Sequence, residues 1–342
     1  MSTYHEDIGS DAIHIKQQLF DALTKAQRII ITTHVNPDGD AIGSSLGLWH
    51  WLRSLGKQVQ VILPNNAPAN MEWMPGIDAA RTWNPDLAET IAEADLLLVL
   101  DLNAVSRLGE LGNAIRASRG QIVNIDHHTH PESFASIAWI DTNACSTCVM
   151  IAEFVLTVAG AAALSEECAI CLYTGIMTDT GSFRFPRTTA TVFRIVADLV
   201  EKGADPVRAY DNVMNQGSIG RTQLLGKTLS QMQVLADGRL CVMCVTMRDM
   251  EEHDCRLEDI EGFVQQTLTL RGVVMGILIV ELLTEIKVSF RSKGDAYVRD
   301  LAASLGGGGH VYAAGARVVE RSLSDVRRYV TTEAVDYLEK LS

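Results

Sequence analysis

The chain has 342 residues, with 29 Lys and Arg against 42 Asp and Glu for a formal charge of −13, and 47% of its residues are hydrophobic. It is long enough for two cores and has the composition of an ordinary soluble globular protein. Its acidity argues against a broad surface tracking the phosphates of long nucleic acid, which depends on many Lys and Arg contacts, and no apolar run reaches the roughly 18 residues that span a bilayer.

The N-terminal MSTYHEDIGSD is acidic and polar, unlike a signal peptide. Seven cysteines without a small secreted framework point to free thiols in a reducing compartment. A cytoplasmic protein with no membrane partner is expected.

An amphipathic helix is predicted over about 10 to 27, carrying Ile13, Leu19, Phe20 and Leu23. Apolar runs of strand length then alternate with helical segments: RIIITT (28 to 33), a helix from about Ala41 to Leu55, VQVIL (59 to 63), LLLVL (96 to 100) and IVNI (122 to 125). Strands that are apolar throughout and alternate with helices indicate a parallel sheet covered on both faces. Residues 146 to 216 are helical in period almost throughout. After GSIGRTQ the texture changes, so a catalytic domain over 1–216, a linker over 217–230 and a second domain over 231–342 are expected. In the second domain, MQVLADGRLCVMCVTM reads as two strands about a turn. A helix near 257 to 270, a strand pair within VVMGILIVELLTEIKVSFRS, a helix near 296 to 305, the run GGGGH and a final helix from Ser322 follow.

Three strand-like runs end in groups that bind metals or move protons. RIIITT runs into His34, LLLVL into Asp101, and IVNI into Asp126, His127 and His128. In open α/β sheets the ligand crevice lies beyond the carboxyl ends of the strands, so these termini converge. Asp38 and Asp40 follow His34 in HVNPDGD, and Asp179 ends a largely apolar helical stretch. His34, Asp38, Asp40, Asp101, His127 and Asp179 together offer four carboxylates and two imidazoles, a set suited to Mn²⁺ or a comparable ion. Six side chains exceed what one catalytic ion takes, so two ions sharing a carboxylate are expected, as in phosphoryl transfer.

Each piece also has a plainer account. N-P-D-G-D is strong turn chemistry, paired histidines can cap a sheet, and an aspartate after a strand is a common helix N-cap. None of these accounts predicts that all the groups fall at one sheet edge. Cys145-x-x-Cys148 and Cys168-x-x-Cys171, 19 residues apart, match a four-thiolate zinc spacing. They sit in apolar helical segments, where cysteine behaves as a small core residue, and that account is preferred.

HVNPDGDAIGS, VLD (99 to 101), IDHH (125 to 128) and TDTGSFRF (178 to 185) resemble the four motifs of the DHH phosphoesterase superfamily, and FRSKG with GGGGHVYAAG resembles its C-terminal DHHA1 domain. The match spans nearly the whole chain and is similar to the oligoribonuclease and 3′-phosphoadenosine-5′-phosphate (pAp) phosphatase group called nano-RNase A.

The resemblance implies a parallel-sheet DHH domain plus a smaller α/β DHHA1 domain, with the active site in the cleft between them. His34, Asp38 and Asp101 would hold one Mn²⁺, and Asp40, Asp101, His127 and Asp179 the other, with Mg²⁺ or Co²⁺ as substitutes. His128 would contact the scissile phosphate or assist the leaving oxygen, Asp126 would orient its neighbours and Asp101 would bridge. Substrate would be gripped by Arg184, Arg291, Ser292, Gly307, Gly308, Gly309 and His310. The expected substrates are short oligonucleotides and pAp, with linear or cyclic dinucleotides as the alternative. A non-catalytic nucleotide sensor is disfavoured because no ligand acid is missing. The apolar helices of 146 to 216 permit a homodimer.

Overall fold

The structure, a computed structural model, describes residues 10–341, with side chains from Ile13 onward. The chain divides into two compact units at Gln216/Gly217.

The first unit carries strands β1 (Arg28–Thr32), β2 (Gln58–Leu63), β3 (Arg81–Thr82), β4 (Leu96–Leu100), β5 (Gln121–Asp126) and β6 (Ile137–Ile140). They form one sheet in the order β3-β2-β1-β4-β5-β6, with every pair parallel. Its helices are α1 (Ser10–Lys25), α2 (Gly39–Ser54), α3 (Ala88–Ala92), α4 (Leu111–Ala117), α5 (Thr147–Ala159), α6 (Glu166–Asp179), α7 (Ala190–Glu201) and α8 (Pro206–Met214). The continuous apolar runs of β1 and β4 have a physical cause, since both sheet faces are covered. Ile29, Ile31, Leu98 and Leu100 pack with Leu46, Trp51, Phe154 and Leu172 on one side. Ile30, Leu97 and Val99 pack with Leu87, Ile91, Leu111 and Ile115 on the other.

Helices α2 and α6 approach closely through glycine. A Cβ on Gly43 would fall 2.6 Å from the Cys171 carbonyl oxygen, and one on Gly175 would fall 2.2 Å from Cys148 Sγ. This contact sets the end of α6, and hence Asp179, beside the start of α2.

The second unit contains α9 (Ile219–Ser230), β7 (Gln233–Leu235), β8 (Leu240–Val245), α10 (Met247–Glu252), α11 (Phe263–Thr267), β9 (Met275–Glu281), β10 (Ile286–Ser292), α12 (Arg299–Ala303), β11 (Gly308–Gly309), β12 (Ala313–Val318) and α13 (Leu323–Glu339). Its mixed sheet has the order β11-β12-β10-β9-β8-β7, with β8 and β9 parallel and the other pairs antiparallel. The segment 217–230, expected as a linker, is largely α9, whose Leu224 is fully buried in this unit's own core. The helix expected near 257 to 270 is broken at Gly262, which adopts φ 87°. No helix among the described residues is long and apolar enough to cross a membrane.

Candidate metal centre

Strands β1, β4 and β5 are neighbours at the middle of the sheet, and the strand order reverses between β1 and β4. Such a switch point opens a crevice beyond the strand ends. His34 stands two residues past β1, Asp101 follows β4 directly, and Asp126 ends β5 with His127 and His128 after it. Asp179, the last residue of α6, completes the set.

The geometry forms two groups joined at Asp101. His34 Nε2 lies 3.9 Å from Asp38 Oδ1 and 3.6 Å from Asp101 Oδ2. His127 Nε2 lies 3.8 Å from Asp40 Oδ2, 3.4 Å from Asp101 Oδ1 and 3.3 Å from Asp179 Oδ2. Ligand atoms of His34, Asp38 and Asp101, and those of Asp40, His127 and Asp179, each fall within 4.8 Å of one another. His128 Nδ1 is 3.7 Å from Asp101 Oδ1 and donates to Asp126 Oδ1 at 2.6 Å. The other oxygen of Asp126 is buried without a hydrogen-bond partner.

Local structure fixes these side chains. Asp38 caps α2, with Oδ1 accepting from Asp40 N and Ala41 N, while most of its side chain stays exposed. Asp40 is buried, and its two oxygens accept from Thr147 N at 2.6 Å and Cys148 N at 2.8 Å at the start of α5. Thr147 Oγ1 also donates to Asp101 Oδ1 at 3.1 Å. Asp101 itself adopts φ 60°, a left-handed conformation that turns the chain sharply off β4. The orientation of each imidazole is set from behind: His34 Nδ1 lies 2.8 Å from the Val35 carbonyl oxygen and His127 Nδ1 lies 3.4 Å from that of Ala144.

Without a cation, crowded carboxylates must share protons. Burial and the charges of Asp101 and Asp179 hold the Asp40 carboxyl well above its ordinary range. Burial pushes Asp179 up to about 7, with His127 opposing and Asp101 adding to the rise. Burial opposes the charging of His127, yet the Asp101 hydrogen bond and the charges of Asp40, Asp101 and Asp179 carry it up to about 9. Asp101 is buried too, and its hydrogen bonds with His127 and His34 keep it ionised far below the usual carboxylate range. A donor set of four carboxylates and two imidazoles, held together against its own repulsion, fits a pair of divalent cations.

Two residues that the sequence reading did not single out belong to this site. Thr147, preceded by the N-cap Ser146, ties Asp40 and Asp101 to the start of α5, and the Ser-Thr pair before an apolar helix was the available signal. Arg107, whose Nη1 lies 3.3 Å from His128 Nε2, gave none.

The cysteines are accounted for as core. All seven are free thiols, and none takes part in a candidate metal group among the described residues. Cys148 donates to the Asp40 carbonyl and Cys168 to that of Gly47, and burial pushes the Cys145 and Cys168 thiols up to about 12.

Arg184 lies in the exposed turn beyond Asp179, with Nε donating to the Gly181 carbonyl. The remaining substrate candidates are gathered in the second unit. Arg291 and Ser292 end β10, and Ser292 Oγ is buried without a partner. The glycine run differs from the open anion nest that four glycines suggest. Gly306 N and Gly307 N cap α12, Gly308 and Gly309 pair with β12, and His310 closes the hairpin on Ala313. Glycine is required there because a Cβ on Gly307 would lie 2.1 Å from the Gly315 carbonyl oxygen.

Residues 28–176 match the DHH family, N-terminal domain, and residues 237–336 match the DHHA1 domain. A bifunctional oligoribonuclease and PAP phosphatase NrnA of Thermus thermophilus is 32% identical over 89% of this chain and 90% of its own length. The chain belongs to the DHH family.

A second NrnA, from Bacillus subtilis, is 25% identical over 91% of this chain and 97% of its own. A crystal structure of an exopolyphosphatase-related protein from Bacteroides fragilis superposes with a TM-score of 0.92 at 33% identity, covering 98% of this chain and 99% of that one. The DHH match contains every candidate ligand except Asp179, and the DHHA1 match contains Arg291, Ser292, the glycine run and His310. The chain is thus a DHH phosphoesterase by family.

Proposed function

We propose that this DHH protein is a Mn²⁺-dependent phosphohydrolase that cleaves oligonucleotides of a few residues to mononucleotides and removes the 3′-phosphate of pAp. The observation that carries this reading is the pair of ligand groups sharing Asp101 at the switch point of a DHH sheet. The NrnA names of its full-length relatives give the substrate class.

His34, Asp38 and Asp101 would hold one ion, and Asp40, Asp101, His127 and Asp179 the other. When bound, the ions supply Lewis acidity that stabilises phosphoryl charge and acidifies water. The chain's own residues do the rest. Asp126 fixes the His128 ring through Nδ1, so Nε2, which lies against Arg107 in this structure, is the nitrogen that would serve the phosphoryl group or the departing oxygen. The helix start after Asp38 adds a positive dipole end at the same edge. Arg184 and, from the second unit, Arg291, Ser292, Gly307, Gly308, Gly309 and His310 bind the remainder of the substrate. The net charge of −13 supports short substrates over long ones. A homodimer in the cytoplasm completes the reading, supported by exposed Phe193, Val200, Val207, Tyr210 and Met214 on α7 and α8.

The test incubates purified protein with Mn²⁺ and labelled di- to pentanucleotides, with pAp alongside. Mononucleotides released by the wild type and not by Asp101→Ala are expected; equal release by both, or none from either, refutes the reading.

A further inference from the structure

Arg107 sits on a short turn, Val105–Leu108, between β4 and α4. That turn is fastened at two points, and the residues leading into it at a third. The Arg107 carbonyl accepts from Val35 N at 2.7 Å, Val105 N donates to Glu132 Oε2 at 3.1 Å, and Glu132 N donates to the Asn103 carbonyl at 2.7 Å. Its backbone is therefore tied both to the residue after His34 and to the loop that follows His128.

The side chain is half-buried, and among the described residues it makes no ion pair with a carboxylate. Most of the described arginines likewise lack an ion pair, but Arg107 is set apart by standing beside a site built largely of aspartates. Its recorded side-chain partner is His128 Nε2, at 3.3 Å. The guanidinium has donors only, so this contact requires Nε2 to accept, while Nδ1–H donates to Asp126. A neutral acceptor at that distance binds weakly and leaves most of the five guanidinium donors uncommitted. A phosphoryl group offers two oxygens in the geometry that matches the guanidinium fork, with charge assistance.

We propose that Arg107 grips a non-bridging oxygen of the substrate phosphoryl group, giving up its hydrogen bond to His128 Nε2 as the phosphate enters. The inference rests on the phosphohydrolase reading for its ligand class. It adds a phosphate-binding residue in the DHH unit itself, in a turn held rigid before substrate arrives.

The experiment compares full-length wild type, R107Q and R107K, each loaded with Mn²⁺. Inorganic phosphate binding is read by calorimetry, and kcat and KM are measured on a dinucleotide. R107Q is expected to weaken phosphate binding and raise KM by about tenfold or more, the scale of a lost charged hydrogen bond, with Mn²⁺ stoichiometry unchanged. R107K is expected to recover part of both. Phosphate affinity and KM within twofold of wild type overturn the proposal. A fall in kcat alone, at unchanged KM and phosphate affinity, also overturns it, because Arg107 then acts only by positioning His128. Should the wild type release no mononucleotide, the functional reading fails, and the phosphate titration still decides Arg107. Circular dichroism identifies a misfolded R107Q, in which case R107K carries the comparison.

Discussion

Loading the metal centre must expel protons, and a minimum for their number follows from the shifts in the cation-free site. His127, carried up to about 9, and Asp179, pushed up to about 7, are both protonated to a degree at neutral pH. At about pH 7.5 His127 holds close to one proton and Asp179 about a quarter of one, so these two groups alone should release about 1.2 protons on binding, and any proton on the raised Asp40 carboxyl adds to that. For His127 and Asp179 the same arithmetic gives about 1.9 near pH 6 and about 0.5 at pH 9. Only the deprotonated groups ligate, so affinity must weaken as pH falls. The assay is calorimetric titration of metal-free protein with Mn²⁺ in two buffers of different ionisation enthalpy, repeated at the three pH values. A release below about 0.3 proton at pH 7.5, or an affinity that is flat from pH 6 to 9, would refute the reasoning.

Stability without metal should move the opposite way. His127 is charged more readily folded than unfolded, which contributes stability below its ordinary value of 6.5 and loses it as pH rises through about 9. Asp179 favours its protonated form in the fold, so its contribution is also lost as pH rises through about 7. Scanning calorimetry in chelator should show the melting temperature falling from pH 6 to 9, and a flat or rising profile contradicts this. Asp38→Ala and Asp40→Ala should both abolish turnover, but they should differ in stability. The first loses an exposed helix cap worth about 1 kcal/mol. The second strands two buried backbone donors of α5 at a cost of about 1–3 kcal/mol each, and denaturant melts separate the cases. Gly175→Ala places a methyl 2.2 Å from Cys148 Sγ and 3.1 Å from Asp40 Cα, and overpacking there should cost about 1–3 kcal/mol with weakened Mn²⁺ binding. An unchanged melt and unchanged metal affinity would count against the close approach of α2 and α6.

The central strands and the clustering of the candidate ligands are legible in the sequence because one cause produces both signals. Burial on two faces made β1, β4 and β5 apolar throughout, and parallel pairing put their polar endings together. Weaker elements left no such trace. β3 is two residues long, β6 alternates in burial over four, and β12 is built from AAGARV, whose small residues serve close packing against Gly307. The expected helix of 257 to 270 followed apolar spacing that a left-handed Gly262 interrupts. Thr147 and Arg107 escaped because their roles depend on contacts across 46 and 21 residues of chain. The Ser146–Thr147 pair marks a helix start, but no local pattern encodes the contacts across the chain.

Asp101 offers one oxygen toward His34 and the other toward His127. Two sets of donors therefore hang from a single carboxylate, on a backbone dihedral that few residues adopt. If each set holds an ion, as proposed, the two affinities could not be tuned independently. Any change that shifted this side chain to suit one ion would be felt by the other, which would couple their occupancy and leave position 101 with little room for any residue but aspartate.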